Sequence, residues 1–343
     1  MSWITVAYAA ETAALENPQL ENTQAEAPFA NPGPIPDAGA SATITTNTPA
    51  VIEPTLTQVP SSPVETETLP LVPAKDIREY ANTHKLKLRS HVALVYDEHD
   101  NEIIFQRHAD DVMPVASLSK LMTAMVILDA GLPMEEEITI TKDDKDRIRY
   151  SKSRLRKGMK FNRADLLLIA LLASENRAAS ALARTYPGGT RKFVAAMNDK
   201  ARALGLTKTH FTDPAGLGKK NVSTAHEMMQ IVKAASEYPV IREFTTQTKE
   251  TIVDLNKGRE VNFGNTNRLV KLDSWPIKLS KTGFTNDAGN CLVMQTEIND
   301  RPVIIVLLNS WGKLSKYGDS NRIKQWLTKT EQQIMKNNGG ESI

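Results

Sequence analysis

Three short stretches, Ser117-Leu118-Ser119-Lys120, Ser174-Glu175-Asn176 and Lys281-Thr282-Gly283, occur in this order along the chain. Between them they supply a hydroxyl nucleophile, an amine base, a second hydroxyl, an amide and a cation beside a further hydroxyl. A serine hydroxyl at its ordinary pKa is a weak nucleophile, so Ser117 needs a base within hydrogen-bond reach. Residues three apart on a helix lie one turn apart on one face, which brings the Lys120 amine to the Ser117 hydroxyl; Ser119, next to Lys120, points off that face. The amine can take the proton only when burial or neighbouring positive charge lowers its pKa enough to leave it neutral. This is equipment for attack on an acyl group and formation of an acyl-serine.

The elements that must hold these groups can be read around them. Pro114 marks a stop before a helix over 117–128 and places Ser117 at its N-terminus, where free N–H groups and the helix dipole favour a developing oxyanion. Leu121, Met122, Ala124, Met125, Val126 and Leu128 make that helix apolar almost all round, which implies burial, and a buried lysine without a role is costly. Ser174 follows the apolar run 166–173 in a helical pattern over 163–185. From there its hydroxyl can relay a proton between Lys120 and a leaving amine, and the Asn176 amide can pair with Lys120 or with substrate backbone. Glu175 is expected to point outward and be exposed. Lys281, Thr282 and Gly283 lie in an extended stretch that begins at Pro276. A strand edge there can pair with an extended peptide, with Lys281 and Thr282 holding a carboxylate and Gly283 permitting close approach.

Taken singly, each stretch is as well explained by a helix surface, a cap or a turn. The ordered set, with a lysine in an apolar helix, is not. Competing chemistries are weaker: His226-Glu227-Met228-Met229-Gln230 has Gln230 where the zinc-protease pattern needs its second histidine, and the six scattered histidines show no other ligand pair. Cys291, the lone cysteine, sits in Cys-Leu-Val-Met and reads as a packed core thiol on a strand. No metal or other cofactor is expected. Neither a phosphate-binding loop nor a basic-aromatic run occurs, so nucleic acid is not an expected partner.

The 343 residues, 41% of them hydrophobic, provide ample material for a core. Charge is unevenly spread: residues 1–70 hold eight acidic side chains and no Lys, Arg or His, leaving 42 basic against 32 acidic groups after them. That basic remainder suits an anionic polymer or surface, and equally a lysine-rich solvated face. Residues 1–10 are too short to span a bilayer and lack a basic n-region; Ala7-Tyr8-Ala9 fits a small-residue cleavage site, the remnant of an export signal, and fits an alanine-rich start of no function as well. Residues 11 to about 73, with eleven of the 18 prolines, read as a tether without a fold. The expected organisation is an export-signal remnant and leader over 1–75, one catalytic domain over 76–331 and a polar tail over 332–343. Strand candidates at 91–96 and 102–106, and at 290–296 and 302–308 around Asn299-Asp300, bracket helical patterns at 117–128, 163–185, 190–204 and 224–236; a last helix is expected over 320–327. The α/β (α+β) class follows, with one antiparallel sheet joined from distant segments and the helices clustered on it as an inserted lobe.

With these motifs the chain resembles the low-molecular-mass penicillin-binding proteins, a family of serine D,D-peptidases. The likeness spans about 76–327 and includes Pro114-Val115-Ala116 before the first stretch, His210-Phe211-Thr212-Asp213-Pro214-Ala215-Gly216-Leu217, Asn265-Thr266-Asn267, and Phe284-Thr285-Asn286-Asp287-Ala288-Gly289 after the third. Ser174-Glu175-Asn176-Arg177-Ala178-Ala179 and Gly289-Asn290-Cys291-Leu292 are especially similar to its D-alanyl-D-alanine endopeptidases, as is the lack of a C-terminal β domain. The resemblance implies a β-lactamase/transpeptidase-like fold: a five-stranded antiparallel sheet flanked by helices, with an all-helical lobe. It makes Ser117 the acylated nucleophile, Lys120 the general base and Ser174 a proton relay, with Asn176, Lys281, Thr282 and Gly283 at the substrate and the main-chain N–H groups of Ser117 and Phe284 as oxyanion hole. It implies a periplasmic enzyme that hydrolyses D-alanyl–meso-diaminopimelyl cross-links between peptidoglycan peptide stems, is acylated by β-lactam antibiotics and works among other cell-wall enzymes. Carboxypeptidase action on terminal D-alanine is the alternative, and a non-catalytic murein-binding scaffold is disfavoured by the intact triplets. Segment 212–216 offers no Glu-x-x-Leu-Asn, so rapid release of a penicilloyl group is not expected.

Overall fold

The computed structural model describes residues 71–81 and 86–339; the readings made for residues 1–70 lie outside the described residues. The first half of the chain gives α1 (Ala74–Ala81), β1 (Ser90–Asp97), β2 (Glu102–Arg107), β3 (Met113–Pro114), α2 (Lys120–Asp129), β4 (Glu137–Thr139), β5 (Lys160–Asn162), α3 (Arg163–Leu172) and α4 (Asn176–Arg184). The second half gives α5 (Gly189–Ala203), β6 (Val222–Ser223), α6 (Ala225–Ser236), α7 (Pro239–Thr246), β7 (Lys249–Asp254) and β8 (Arg259–Gly264). It closes with β9 (Ile277–Thr285), β10 (Gly289–Ile298), β11 (Arg301–Ser310) and α8 (Ser315–Gly339).

Both expected strand pairs form. Between β1 and β2, Asp97 Oδ1 accepts the backbone N–H of His99 at 2.8 Å, and Asn101 takes the left-handed backbone (φ 56°) that asparagine tolerates. Between β10 and β11 lie only Asn299 (φ 51°) and Asp300 (φ 62°), the positive-φ pair of a two-residue hairpin whose twist matches its strands. The two pairs join because β1 lies antiparallel to β11, from Ser90 opposite Ser310 to Asp97 opposite Val303. The sheet runs β2-β1-β11-β10-β9, five antiparallel strands as expected, with the third triplet on its edge strand β9.

The central strands are buried on both faces and so read as nearly unbroken apolar runs rather than alternating ones. Ala93, Val95, Met294, Ile305 and Leu307 pack with Ile77 of α1 and with Ile323, Leu327 and Ile334 of α8. Val92, Leu94, Val293, Ile304 and Val306 are equally buried on the opposite face, where α6 lies against β11. The helical lobe is inserted between β2 and β9, and it departs from the sequence patterns in two places. The pattern at 117–128 begins as a 310 turn, Ala116–Ser119, before becoming α2. The pattern at 163–185 is two helices, because Ser174 adopts φ 58° and ends the run between α3 and α4. The final helix is also longer than expected, with Ile334 in the core beyond the 320–327 window.

One buried ionic cluster ties the first described segment to the last. Arg301, fully buried, donates to Asp97, to Glu331 Oε1 of α8 at 2.7 Å and to Val72 O. Removing the guanidinium strands the Asp97 and Glu331 carboxylates in the interior, where an unpaired charge is far more costly than a paired one. Arg301→Leu is therefore expected to lower unfolding free energy by about 3–5 kcal/mol, read as a shifted urea midpoint at unchanged slope.

Candidate active site

Ala116 sets the direction of the nucleophile. Its backbone is left-handed (φ 48°) although it carries a Cβ, a conformation that costs an L-residue about 1–2 kcal/mol. The chain turns there out of β3, passes Ser117 and enters α2 at Lys120. Ser119 Oγ donates back to Ala116 O at 3.0 Å and is buried, so the rival hydroxyl is used in holding the turn. Lys120 is 1% exposed, and its Nζ lies 2.9 Å from Ser117 Oγ, 2.7 Å from Asn176 Oδ1 and 2.7 Å from Ala215 O. An ammonium has three N–H donors, and these three acceptors use them all.

Burial pushes the Lys120 pKa down to about 7, against the opposing pull of the Asp213, Glu175 and Asp146 charges. Desolvation prevails because none of these carboxylates reaches the amine with a hydrogen bond among the described residues. When Lys120 loses a proton, two N–H groups can stay on Asn176 and Ala215 while a lone pair faces Ser117. The Ser117 hydroxyl, 3.3 Å from Ala215 O in the charged arrangement, can then donate to the amine instead.

Ala215 was not legible in the sequence as a member of this cluster, since a main-chain carbonyl carries no side-chain signature. Its loop is shaped by Asp213, which accepts the N–H groups of Ala215 at 2.9 Å, Leu217 at 3.0 Å and Gly218 at 2.7 Å. Thr123 Oγ1 donates to Pro214 O at 2.7 Å, and Val115 N donates to Asn221 O at 3.0 Å, fastening the loop to α2 and to the nucleophile turn. Gly216 lies at φ 77°, and a Cβ there would stand 1.9 Å from Ala116 O. Only glycine lets the two turns close on each other.

The second triplet is delivered by the break after α3. Asn176 opens α4 with Oδ1 toward Lys120, and its amide is oriented from behind: Nδ2 donates to Ser151 Oγ at 2.9 Å, and Ser151 Oγ donates to Asp146 Oδ2 at 2.6 Å. Asp146 in turn accepts the N–H groups of Ile148, Arg149 and Ser151. Ser151 and Asp146 are part of the site that no motif announced. Ser174 sits half-buried in the turn, and its hydroxyl has no hydrogen-bond partner among the described residues. Glu175 corrects the expectation of an exposed side chain: it is buried, at 9% exposure, and accepts from Arg177 N at 3.2 Å as the N-cap of α4. The left-handed turn at Ser174 rolls it against the helix start rather than into solvent.

The third triplet faces the nucleophile across bare backbone. A Cβ on Gly283 would lie 3.0 Å from Val115 O and 3.1 Å from Ser117 N, so β9 meets the 310 turn at van der Waals contact. Phe284 follows on the same edge and is 60% exposed. Lys281 is buried, with Nζ donating to Thr282 O at 3.1 Å; burial, then the like charges of Lys120 and Lys316, hold its pKa well below the ordinary lysine value. An entering carboxylate supplies the counter-charge that this ammonium lacks. Thr282 Oγ1 donates to Thr266 Oγ1 at 2.7 Å, and Thr266 N donates to Leu172 O at 3.1 Å, linking β9 to the end of α3 beside Ser174. Arg149, which donates to Leu217 O at 2.9 Å, pairs with Asp287 just past β9.

Cys291 is fully buried, and burial lifts its thiol to about 11, which keeps it protonated and inert. The expectation that the histidines offer no ligand pair fails in three dimensions, because antiparallel pairing of β1 and β2 brings His91 and His108 together beside Asp111.

Comparisons with known proteins agree with this geometry. The family model described as D-alanyl-D-alanine carboxypeptidase matches residues 79–312. The chain is 44% identical over 241 residues to a D-alanyl-D-alanine endopeptidase of Pseudomonas aeruginosa and 43% identical over 241 residues to one of Escherichia coli, covering 70% of this chain and 78% of each relative. The Streptomyces K15 DD-transpeptidase superposes with a TM-score of 0.66 at 26% identity, over 71% of this chain and 98% of that one. Penicillin-binding protein D2 from Listeria monocytogenes, in its ampicillin-bound form, does so with a TM-score of 0.62 at 29% identity, over 71% and 99%. Motifs, sheet topology and the lysine–serine contact thus converge with the family match over most of the described residues, and the chain belongs to the D-alanyl-D-alanine carboxypeptidase family of serine peptidases.

Proposed function

We propose that this chain is a serine D,D-endopeptidase that hydrolyses D-alanyl–meso-diaminopimelyl cross-links of peptidoglycan through an acyl-serine. The observation that carries the reading is the buried Lys120 amine 2.9 Å from Ser117 Oγ, with its pKa brought to about 7 by burial. Neutral Lys120 takes the Ser117 proton as Oγ attacks the D-alanyl carbonyl. The oxyanion develops between the main-chain N–H groups of Ser117 and Phe284. Ser174, whose hydroxyl is uncommitted, passes the proton to the leaving amine, and water then releases the acyl group. Asn176 holds Lys120, Gly283 admits the acyl chain, and Lys281 with Thr282 engages the substrate carboxylate. The identity to relatives named endopeptidases favours cross-link cleavage; the family's carboxypeptidase description and the 27% identity to a D-alanyl-D-alanine carboxypeptidase of Bacillus subtilis favour terminal D-alanine removal as the second reading.

The same reading makes the chain a target of β-lactams, since a solved relative is described in ampicillin-bound form. Asp213, the acid in the segment facing Lys120, is fully engaged by backbone N–H groups and by Asn221. It is not free to activate water, which supports a persistent penicilloyl-enzyme. The residues from about 76 to 331 make up most of the catalytic domain, whose core also takes in Val72 and, on α8 beyond 331, Ile334; the periplasm is the compartment where the substrate lies. No described helix is long and apolar enough to cross a membrane.

Digestion of purified cross-linked muropeptide dimers is expected to release monomers; free D-alanine without monomers overturns the endopeptidase reading in favour of the carboxypeptidase one. Because Lys120 must be neutral to act, the rate of acylation by benzylpenicillin is expected to fall about tenfold per pH unit below its pKa and to level off above it. A profile flat across pH 7 removes Lys120 as the base. Lys120→Ala is expected to lose at least about 10²-fold in acylation rate with its thermal transition retained, and Ser117→Ala to lose labelling by fluorescent penicillin altogether.

A further inference from the structure

His91 lies near the start of β1, His108 follows β2, and Asp111 stands three residues further on in the turn toward β3. The two imidazoles are stacked, with centroids 4.7 Å apart and planes 9° from parallel. His91 Nε2 lies 3.1 Å and His108 Nδ1 3.9 Å from the same oxygen, Asp111 Oδ2, and the three ligand atoms all fall within 4.8 Å of one another. Two imidazole nitrogens and one carboxylate oxygen form a donor set suited to a borderline divalent ion. Zinc bonds of about 2.0–2.2 Å in tetrahedral geometry place ligand atoms roughly 3.3–3.5 Å apart, so small rotations of exposed side chains complete the match.

The backbone favours the arrangement before any ion arrives. His108 is held at φ 49°, an uncommon conformation for an L-residue, by a turn in which Asp111 N donates to His108 O at 3.1 Å. Ala109 O accepts from Ala225 N at 3.0 Å, fixing the same turn to the start of α6. Asp110 faces elsewhere, pairing with Lys208 and His226, and does not compete for the position. None of the three residues takes part in the Ser117 cluster, yet Asp111 lies six residues before Ser117 in the chain.

We propose that His91, His108 and Asp111 form a Zn²⁺ site that clamps the start of β1 to the turn leading into the nucleophile segment, with water completing the coordination. An ion bound only by the folded chain stabilises it by mass action. The test is calorimetric titration of ZnCl₂ into the full, untagged, chelator-stripped chain, with melting curves recorded alongside. One Zn²⁺ per chain and a raised Tm are expected, with no Tm shift from Mg²⁺, which disfavours nitrogen donors. His108→Ala and Asp111→Ala are each expected to weaken binding at least about tenfold, and His91→Ala/His108→Ala to abolish the Tm shift. His226→Ala, the control at the neighbouring Asp110 pair, should bind as wild type does. Labelling of every variant by fluorescent penicillin reports that it is folded. Absence of Zn²⁺ binding by wild type, or equal binding by the folded His91→Ala/His108→Ala variant, overturns the proposal.

Discussion

An amine buried without a carboxylate partner is the constraint on which the rest of this structure depends. Lys120 is held by neutral oxygens, the Asn176 amide, the Ala215 carbonyl and the Ser117 hydroxyl, while the nearest acids act only through space. A hydrogen-bonded carboxylate would fix the ammonium form and remove the base. Full exposure would do the same by restoring an ordinary lysine. The site therefore needs donors and acceptors arranged so that the amine is satisfied whether charged or neutral, and each acceptor comes from a different part of the chain.

That requirement accounts for two of the left-handed backbone positions. Ala116 and Ser174 are non-glycine residues in left-handed conformations, and each stands immediately before or within a triplet. Gly216 marks a place where another backbone comes too close for any side chain, and Gly283 one where a Cβ would meet the nucleophile turn in tight contact. Asp213 and Asp146, each saturated by backbone N–H groups, keep their loops rigid while placing negative charge near Lys120 without touching it. Catalytic geometry here is largely a matter of two turns and an edge strand meeting on bare main chain.

The division between what the sequence revealed and what it did not follows from the kind of signal involved. Triplets, hairpins and the buried helix carrying Lys120 are patterns of side-chain type and period, and they were legible. The Asn299-Asp300 turn and the apolar strands around it were enough to predict the closing hairpin. The break at Ser174 was hidden because apolar residues continue through it, and with it went the burial of Glu175. Ala215 was invisible because its contribution is a carbonyl, and Ser151 and Asp146 because they act through Asn176. The His91–His108 pair emerges only from strand register, which places residues far apart in number side by side.

The Arg301 cluster has a consequence for how the molecule is made. It joins the β1–β2 turn to α8 and to the stretch before α1, and β1 finds its central neighbour only in β11. A hairpin alone is marginal in water, so β1 and β2 gain a lasting partner only after the chain through residue 310 has been synthesised. Such long-range pairing folds slowly. The sheet on which the lobe rests thus closes only after most of the described chain has been made.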